Sequence, residues 1–366
     1  MRVVLFVHSL LSDWHNDGAH FLRGVVTELA ARGHRVVCYE PRNSRSVEGL
    51  MKAAGPHPIE AVLRLYPALD IIRYMPTTLD VDVALKDADL VLVHQWNEPE
   101  LIKRVGEKRK TSHFMRAYFH DTHHRALTNP ASMSDFDLSE YDGVLATGEA
   151  LRVAHEKHGW AKAAWTWHEA ADVRIFKPLL SRTTTGEMMK RDLVYVGNWA
   201  NDANRDAAIH ELVIEPIKQL GLDADVCGAG YPAKLADELL AADIRYRGWV
   251  PGYALPESYA QHYATVYVPP SQPIPGVPKG RLFEALACGI PVISGPWDDT
   301  EGLFTPGKDY LVAEDTRAMM RHLRDLLSDT DMAAALATRG RATVQERHTC
   351  AHRVDELLAI HESLQG

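Results

Sequence analysis

The strongest constraint on this chain is an alternation of short apolar strands with amphipathic helices that runs once, stops, and starts again. Residues 3–7 form a continuous apolar run, as a strand buried on both faces of a parallel sheet requires. Gly18 opens a helical stripe made by Phe21, Leu22, Val25, Val26, Leu29 and Ala30, which recur at helical spacing. Gly33 stops it, and residues 34–39 supply the next strand. That is one strand–helix–strand unit with a parallel crossover. The pattern continues with strands at 90–93, 115–119 and 143–146 and helices at 98–107 and 150–158. Residues 43–78 are less regular and are assigned to helix and loop. The polar stretch 181–186 reads as a linker. Beyond it the pattern restarts, with strands at 193–196, 224–227, 244–247, 265–268 and 291–294 and helices at 205–220 and 281–288. Strands that alternate with helices imply parallel sheets covered on both faces. The sequence has 366 residues, whereas single cores stop growing near about 250–300 residues. Two domains of the same kind follow, at 1–180 and 187–350, with a helical tail at 351–366 expected to pack back on the first.

Composition narrows the function classes. The net charge is −9, which argues against a duplex nucleic-acid binder, because such a protein needs a basic face for phosphates. A few local cations still suffice for one small anionic ligand. Cys38, Cys227, Cys288 and Cys350 are far apart and suggest neither a zinc site nor a disulfide framework. A reducing cytoplasm fits best, with peripheral membrane docking left open. The N-terminal apolar run is short and lacks a cleavage site, so it reads as a strand. No stretch reaches the about 18 apolar residues of a membrane span.

Three constellations carry chemistry. In the first, a Pro/Gly-rich loop enters a helix whose first turn holds Lys279, Gly280 and Arg281. A helix start offers free N–H groups and a positive dipole end, which suits a phosphate. Glu284 lies one turn on, where its carboxylate would accept from two ribose hydroxyls. The plainer alternative is an amphipathic helix with a salt-bridged Glu. In the second, His120, Asp121, His123, His124 and Arg125 follow a strand and so lie at the carboxyl edge of the first sheet, where ligands of open α/β folds bind. Metal binding and a polar surface loop are the competing readings, and the spacing is poor for a metal-ligating pair. In the third, Asp-x-Asp occurs five times, at 80/82, 87/89, 135/137, 223/225 and 329/331. A pattern that frequent in an acidic chain discriminates nothing, and no metal site is assigned. Trp165, Trp167, Trp199, Trp249 and Trp297 sit near strand ends and read mainly as packing residues.

The run Phe283-Glu284-Ala285-Leu286-Ala287-Cys288-Gly289-Ile290-Pro291-Val292 resembles the nucleotide-binding segment of the large retaining glycosyltransferase family with the GT-B fold. Arg281 in an Arg-Leu-Phe-Glu run is closest to its divergent spore-maturation-type branch. Other pieces agree in order: Asp17-Gly18-Ala19-His20, residues 171–178, Tyr246-Arg247-Gly248-Trp249-Val250-Pro251, and Val268-Pro269-Pro270-Ser271. The resemblance implies two Rossmann-like domains facing each other across a cleft. It also implies a nucleoside-diphosphate-sugar co-substrate and no other cofactor. Glu284 would hold the donor ribose. Arg281, Lys279, Gly280, Arg205 and Asn198 would surround the diphosphate, and Trp249 and Val250 would border the base. His120, with Asp121, would face the anomeric carbon. Asp17, Gly18, His123 and His124 would line the acceptor side.

The family carries a second Glu eight positions before the first, and here that position is Gly276. The implied reaction is metal-independent transfer to an acceptor hydroxyl with retention. In an inverting variant the base would be Asp17 or a histidine of the cluster. A nucleotide-sugar epimerase and an inactive nucleotide-sugar binder are the alternatives. The acceptor is open between a saccharide, a lipid-linked species and a small molecule.

Overall fold

The computed structural model describes residues 1–16, 18–179, 190–199 and 202–365. It divides into two compact units, one formed by residues 1–169, 274–277 and 350–366, the other by residues 170–273 and 278–349. The 181–186 segment read as a linker and Asp17 both lie outside the described residues.

The first unit is built on seven strands: β1 (Arg2–Phe6), β2 (Arg35–Pro41), β3 (Ile71–Tyr74), β4 (Leu90–His94), β5 (Arg116–Asp121), β6 (Gly143–Ala146) and β7 (Ala164–Thr166). They pair in the order β3-β2-β1-β4-β5-β6-β7, all parallel. The second unit has β8 (Arg191–Val196), β9 (Ala224–Cys227), β10 (Arg245–Gly248), β11 (His262–Tyr267), β12 (Val292–Ser294) and β13 (Leu311–Val312). Their order, β10-β9-β8-β11-β12-β13, repeats the first six places of the first sheet. In each sheet the chain winds outward to one edge and then reverses past its first strand. The switch points therefore fall between β1 and β4, and between β8 and β11, where ligands of open α/β sheets bind.

Three strands escape the sequence reading: β3, β7 and the two-residue β13. Residues 43–78, assigned to helix and loop, hold the helices Arg45–Ala54 and His57–Leu65 and also β3, which registers Cys38 on Ile71 and Pro41 on Tyr74. Ile-Ile-Arg-Tyr is an edge strand four residues long with Ile72 turned to solvent, so it carries no buried run to betray it. The three residues of β7 are too short to register as a pattern. The helix read at 205–220 consists of Ala203–Ile209, a π-turn at His210–Ile214 and Glu215–Leu220. Pro216 has no N–H to return to the preceding turn, and the widened turn absorbs the missing bond.

The helix Cys350–Ser363 packs within the first unit against Ala19–Ala31. Arg32 pairs with Asp355 and donates to the Ala351 carbonyl at 3.1 Å. The indole N–H of the buried Trp167 donates to the Arg353 carbonyl at 2.8 Å.

At the carboxyl end of the second sheet the pairing continues beyond the strands. Gly197 N–H donates to the Cys227 carbonyl at 2.9 Å and Gly228 N–H to the Gly248 carbonyl at 2.8 Å. The two loops approach so closely that a Cβ on Gly228 would lie 2.0 Å from the Gly197 carbonyl oxygen. Because backbone, not a movable side chain, fills that space, Gly228→Ala should cost about 2 kcal/mol or more. The urea midpoint of the variant measures it, and an unchanged midpoint would show that the loops can part.

Candidate active site

In the second unit the strand ends β8, β9 and β10 carry glycine-rich loops held by side chains. Asn198 Oδ1 accepts from Ala229 N–H at 2.9 Å, so this expected diphosphate ligand joins two loops. Tyr231 and Tyr246 hydroxyls donate to the carbonyls of Gly197 and Gly228 at 3.1 and 2.8 Å. Trp199, Tyr231 and Tyr246 pack in sequence as tilted rings with centroids 5.4 and 5.0 Å apart. The helix after β8 starts on Asp202, whose Oδ1 accepts from Asn204 and Arg205 N–H at 3.1 and 3.2 Å. Asp202 also accepts from the Ser271 hydroxyl. That bond first, then the backbone N–H groups, holds its carboxyl below the usual range. Arg205 is half-buried in the first turn of this helix.

The helix Gly280–Cys288 begins at Lys279, whose N–H donates to the Tyr267 hydroxyl at 2.9 Å, and ends at Gly289 in the left-handed region. Glu284 is 1% exposed. Its Oε2 accepts from Arg281 Nη1 at 2.6 Å, the one-turn spacing at which such pairs meet. The buried carboxylate also acts on its neighbours. Burial, and after it the Glu284 charge, raises both the Tyr259 phenol and the Cys288 thiol well above their ordinary values. Trp249 and Val250 follow β10 and are half-buried. Gly276 has φ +88°. The position where the resembling family carries its second Glu therefore holds a left-handed backbone that side-chain-bearing residues disfavour.

In the first unit β4 and β5 end side by side, with His94 in register with His120. His120 is 1% exposed. Its ring sits among His94, Trp167 and Phe21, with centroids at 5.2, 5.0 and 6.2 Å, and among the described residues neither nitrogen has a hydrogen-bond partner. Burial pushes its pKa down to about 3, against a smaller upward pull from Asp121. The imidazole is therefore neutral at neutral pH. Asp121 points to the other side of the strand, as the two-residue period demands. There its Oδ2 meets His155 Nε2 at 2.8 Å, both side chains fully buried, while Oδ1 accepts from His123 N–H at 3.2 Å. His123 and His124 are half-buried and stack at 4.1 Å. Gly18 is the residue from which the helix Ala19–Ala31 starts.

Four further side chains frame this edge; of these the sequence names Arg125 alone, as the end of the histidine run. Glu40, buried at the end of β2, accepts from Leu10 and Leu11 N–H at 2.7 and 3.1 Å and from the Ser9 hydroxyl at 3.1 Å. Arg23, also buried, donates to the Leu10 carbonyl at 2.6 Å and lies 3.8 Å from Asp13. The signal was present: a carboxylate ending an apolar strand, and a cation inside an apolar helix stripe. Trp96 and Arg125 stand at the ends of β4 and β5. Arg125 lies over Trp96, a pairing that no local spacing reveals.

Among the described residues no three His, Cys, Asp or Glu side chains converge as metal ligands. Each Asp-x-Asp pair has a member, among Asp80, Asp89, Asp137, Asp225 and Asp329, that binds a nearby backbone N–H or an Arg. Asp135 of the third pair is flanked by the same turn. No described helix is long and apolar enough to cross a membrane.

Residues 205–359 match the family model described as glycosyl transferase-like. No curated protein matches the chain. Among solved structures, sucrose-phosphate synthase from Thermosynechococcus elongatus superposes with TM-score 0.67 at 16% identity, covering 100% of this chain and 99% of that one. Anabaena HepE in complex with UDP and glucose gives 0.66 at 13% identity, covering 99% and 100%. An α-glucosyltransferase in complex with UDP and a 13-mer DNA gives 0.69 at 10% identity, covering 99% of each chain. The fold is thus that of the GT-B glycosyltransferases, two parallel-sheet units of like winding. The matched residues 205–359 cover most of the second unit and the first turns of the helix Cys350–Ser363 of the first.

The first unit yields two predictions. A His whose folded pKa lies below its unfolded value of about 6.5 stabilises fully above that pH and loses its contribution as pH falls toward 3, at up to about 1.4 kcal/mol per pH unit. His120→Leu should therefore gain on wild type as unfolding is followed from pH 7 down to 4. His8, His34 and His361, also lowered by burial, titrate the same way in both proteins and cancel in the difference. A pH-independent difference would contradict the burial. His155→Ala should cost about 2–4 kcal/mol, from a buried carboxylate that loses its imidazole partner and the cavity beside it, as read from the urea midpoint.

Proposed function

We propose that the protein transfers a sugar from a nucleoside-diphosphate sugar to an acceptor hydroxyl, with the donor held by the second unit and the acceptor by the first. The observation that carries this reading is the position of the Arg281–Glu284 pair in the first turns of the Gly280–Cys288 helix, inside the segment that matches the glycosyltransferase model. Lys279 and Arg281 supply cations, and the helix start its positive dipole end, where a leaving diphosphate needs charge stabilisation. Arg205, at the start of the helix after β8, adds a third cation. Glu284 then takes ribose hydroxyls while Arg281 holds its carboxylate in place. The backbone of Trp249 and Val250 borders the base. Asn198 acts by fixing the glycine loops through Ala229.

On this reading the reaction is metal-independent and retaining, and the chain stands nearest the spore-maturation-type branch on the strength of Arg281. A neutral His120 fits a group that meets the transferred sugar through an uncharged imidazole or its carbonyl rather than as a cationic acid. Asp121, engaged by His155, orients that strand end. Gly276 leaves the choice of sugar to other residues.

UDP is the first nucleotide to try, since solved neighbours hold it. A nucleoside diphosphate at 100 times its dissociation constant adds about 2.7 kcal/mol, so UDP, GDP, ADP and dTDP are compared by thermal shift. One of them should raise Tm by several degrees, and Glu284→Ala should abolish that rise. No shift with any of the four would overturn the donor site.

A further inference from the structure

The carboxyl edge of the first sheet carries an aromatic platform that the donor chemistry does not use. Trp96 follows β4 directly and is 49% exposed, yet it is held on several sides. Its backbone N–H donates to His94 Nδ1 at 3.3 Å. The ring of His123 meets it edge-on, with centroids 5.1 Å apart and planes at 87°. The Arg125 guanidinium lies 5.2 Å from its ring centre and 4.8 Å from that of Phe136. Arg125 is in turn placed by Gln95, whose Oε1 accepts from Nη2 at 3.4 Å and whose Nε2 donates to the Thr122 hydroxyl at 2.8 Å. Among the described residues Arg125 has no carboxylate partner.

A large apolar ring, half in solvent, with a guanidinium over it and an imidazole set edge-on to it, has two complementary surfaces. Its exposed half offers dispersion and a quadrupole to polarised C–H groups, and the guanidinium and imidazole offer hydrogen-bond donors. A pyranose presents the matching pair, one face of axial C–H bonds and an equatorial belt of hydroxyls. A lipid chain would leave the polar rim unsatisfied. A free small alcohol would not cover the indole. The ring's fixed pose lowers the ordering cost that a mobile Trp would impose on a ligand.

We infer that Trp96, with Arg125 and His123, is a sugar-stacking subsite, and that the acceptor is a saccharide or carries a sugar at its reacting end. This rests on the reading that the first unit takes the acceptor, and it names the chemical class which that reading leaves open. The fixed cation gives a uronic acid an added attraction over its neutral counterpart.

The experiment uses saturation-transfer difference NMR on the full chain with the methyl glycosides of glucose, galactose, mannose, N-acetylglucosamine and glucuronic acid, and with uridine as a planar control. At least one glycoside should bind with a dissociation constant below about 10 mM, with saturation strongest at its C–H face. Trp96→Ala should weaken it at least tenfold, and Trp96→Phe, which keeps a stacking face and the fold, should retain most of the binding. Absence of binding by all five glycosides, equal binding by Trp96→Ala, or displacement of the bound glycoside by uridine would each overturn the subsite. The nucleotide thermal shift is read on the same samples. A UDP shift without glycoside binding sinks the subsite and leaves the donor reading standing. Trp96-dependent glycoside binding with no nucleotide shift does the reverse.

Discussion

Both sheets must solve one problem at their carboxyl ends, and the candidate site is the product of the two solutions. The strands stop there, the loops turn away, and buried backbone N–H and C=O groups still need partners. The first unit meets this with ionisable side chains. Glu40 accepts from two successive N–H groups of the loop after β1 and Arg23 donates to a carbonyl between them. The carboxylate is fully buried, and burial raises its pKa against the pull of those hydrogen bonds. The second unit meets it with backbone. Gly197, Gly228 and Gly248 carry the ladder onward, Asn198 fills one remaining position, and tyrosine hydroxyls cap two carbonyls. One edge is therefore bound by charge and the other by close approach. The first surrounds its loop with fixed dipoles.

The two solutions also explain what the sequence reveals. The winding of each sheet follows from continuous apolar strands and helical stripes, and these are local. Glu284, Arg281 and the helix they start are legible for the same reason, since the whole arrangement spans ten residues with a glycine at its end. β3 and β7 are not legible, because an edge strand of three or four residues has too few buried positions to set a period. The Glu40 clamp joins residues 30 apart, and the Arg125–Trp96 contact joins the ends of two strands. Neither is a spacing along the chain. The histidine run shows the converse. It reads as one polar cluster in sequence, but the pleat sends His120 into an aromatic pocket and Asp121 to a buried partner on the opposite face. Only His123 and His124 stay near the surface.

That division bears on the chemistry. A cluster of four adjacent titratable groups suggests proton transfer. Once folded, one imidazole is held neutral and one carboxylate is engaged, so the strand end supplies fixed orientation and dipoles more than exchangeable protons. On the proposed function, charge stabilisation falls to the second unit, where Lys279 and Arg281 stand at the start of one helix and Arg205 at the start of another. This matches a reaction whose difficult step is departure of a diphosphate, for which preorganised positive charge is the larger contribution.

The return of the helix Cys350–Ser363 to the first unit has a consequence during synthesis. Trp167 finds the acceptor for its indole N–H at Arg353, and Arg116 donates to the Leu364 carbonyl. These groups emerge from the ribosome 186 and 248 residues before their partners. At about 5–20 residues per second the wait is about 10–50 s. The second unit, whose residues all lie between, is complete first. The nascent first unit spends that interval with the groove of the helix Ala19–Ala31 uncovered, so the order of emergence reverses the order of completion.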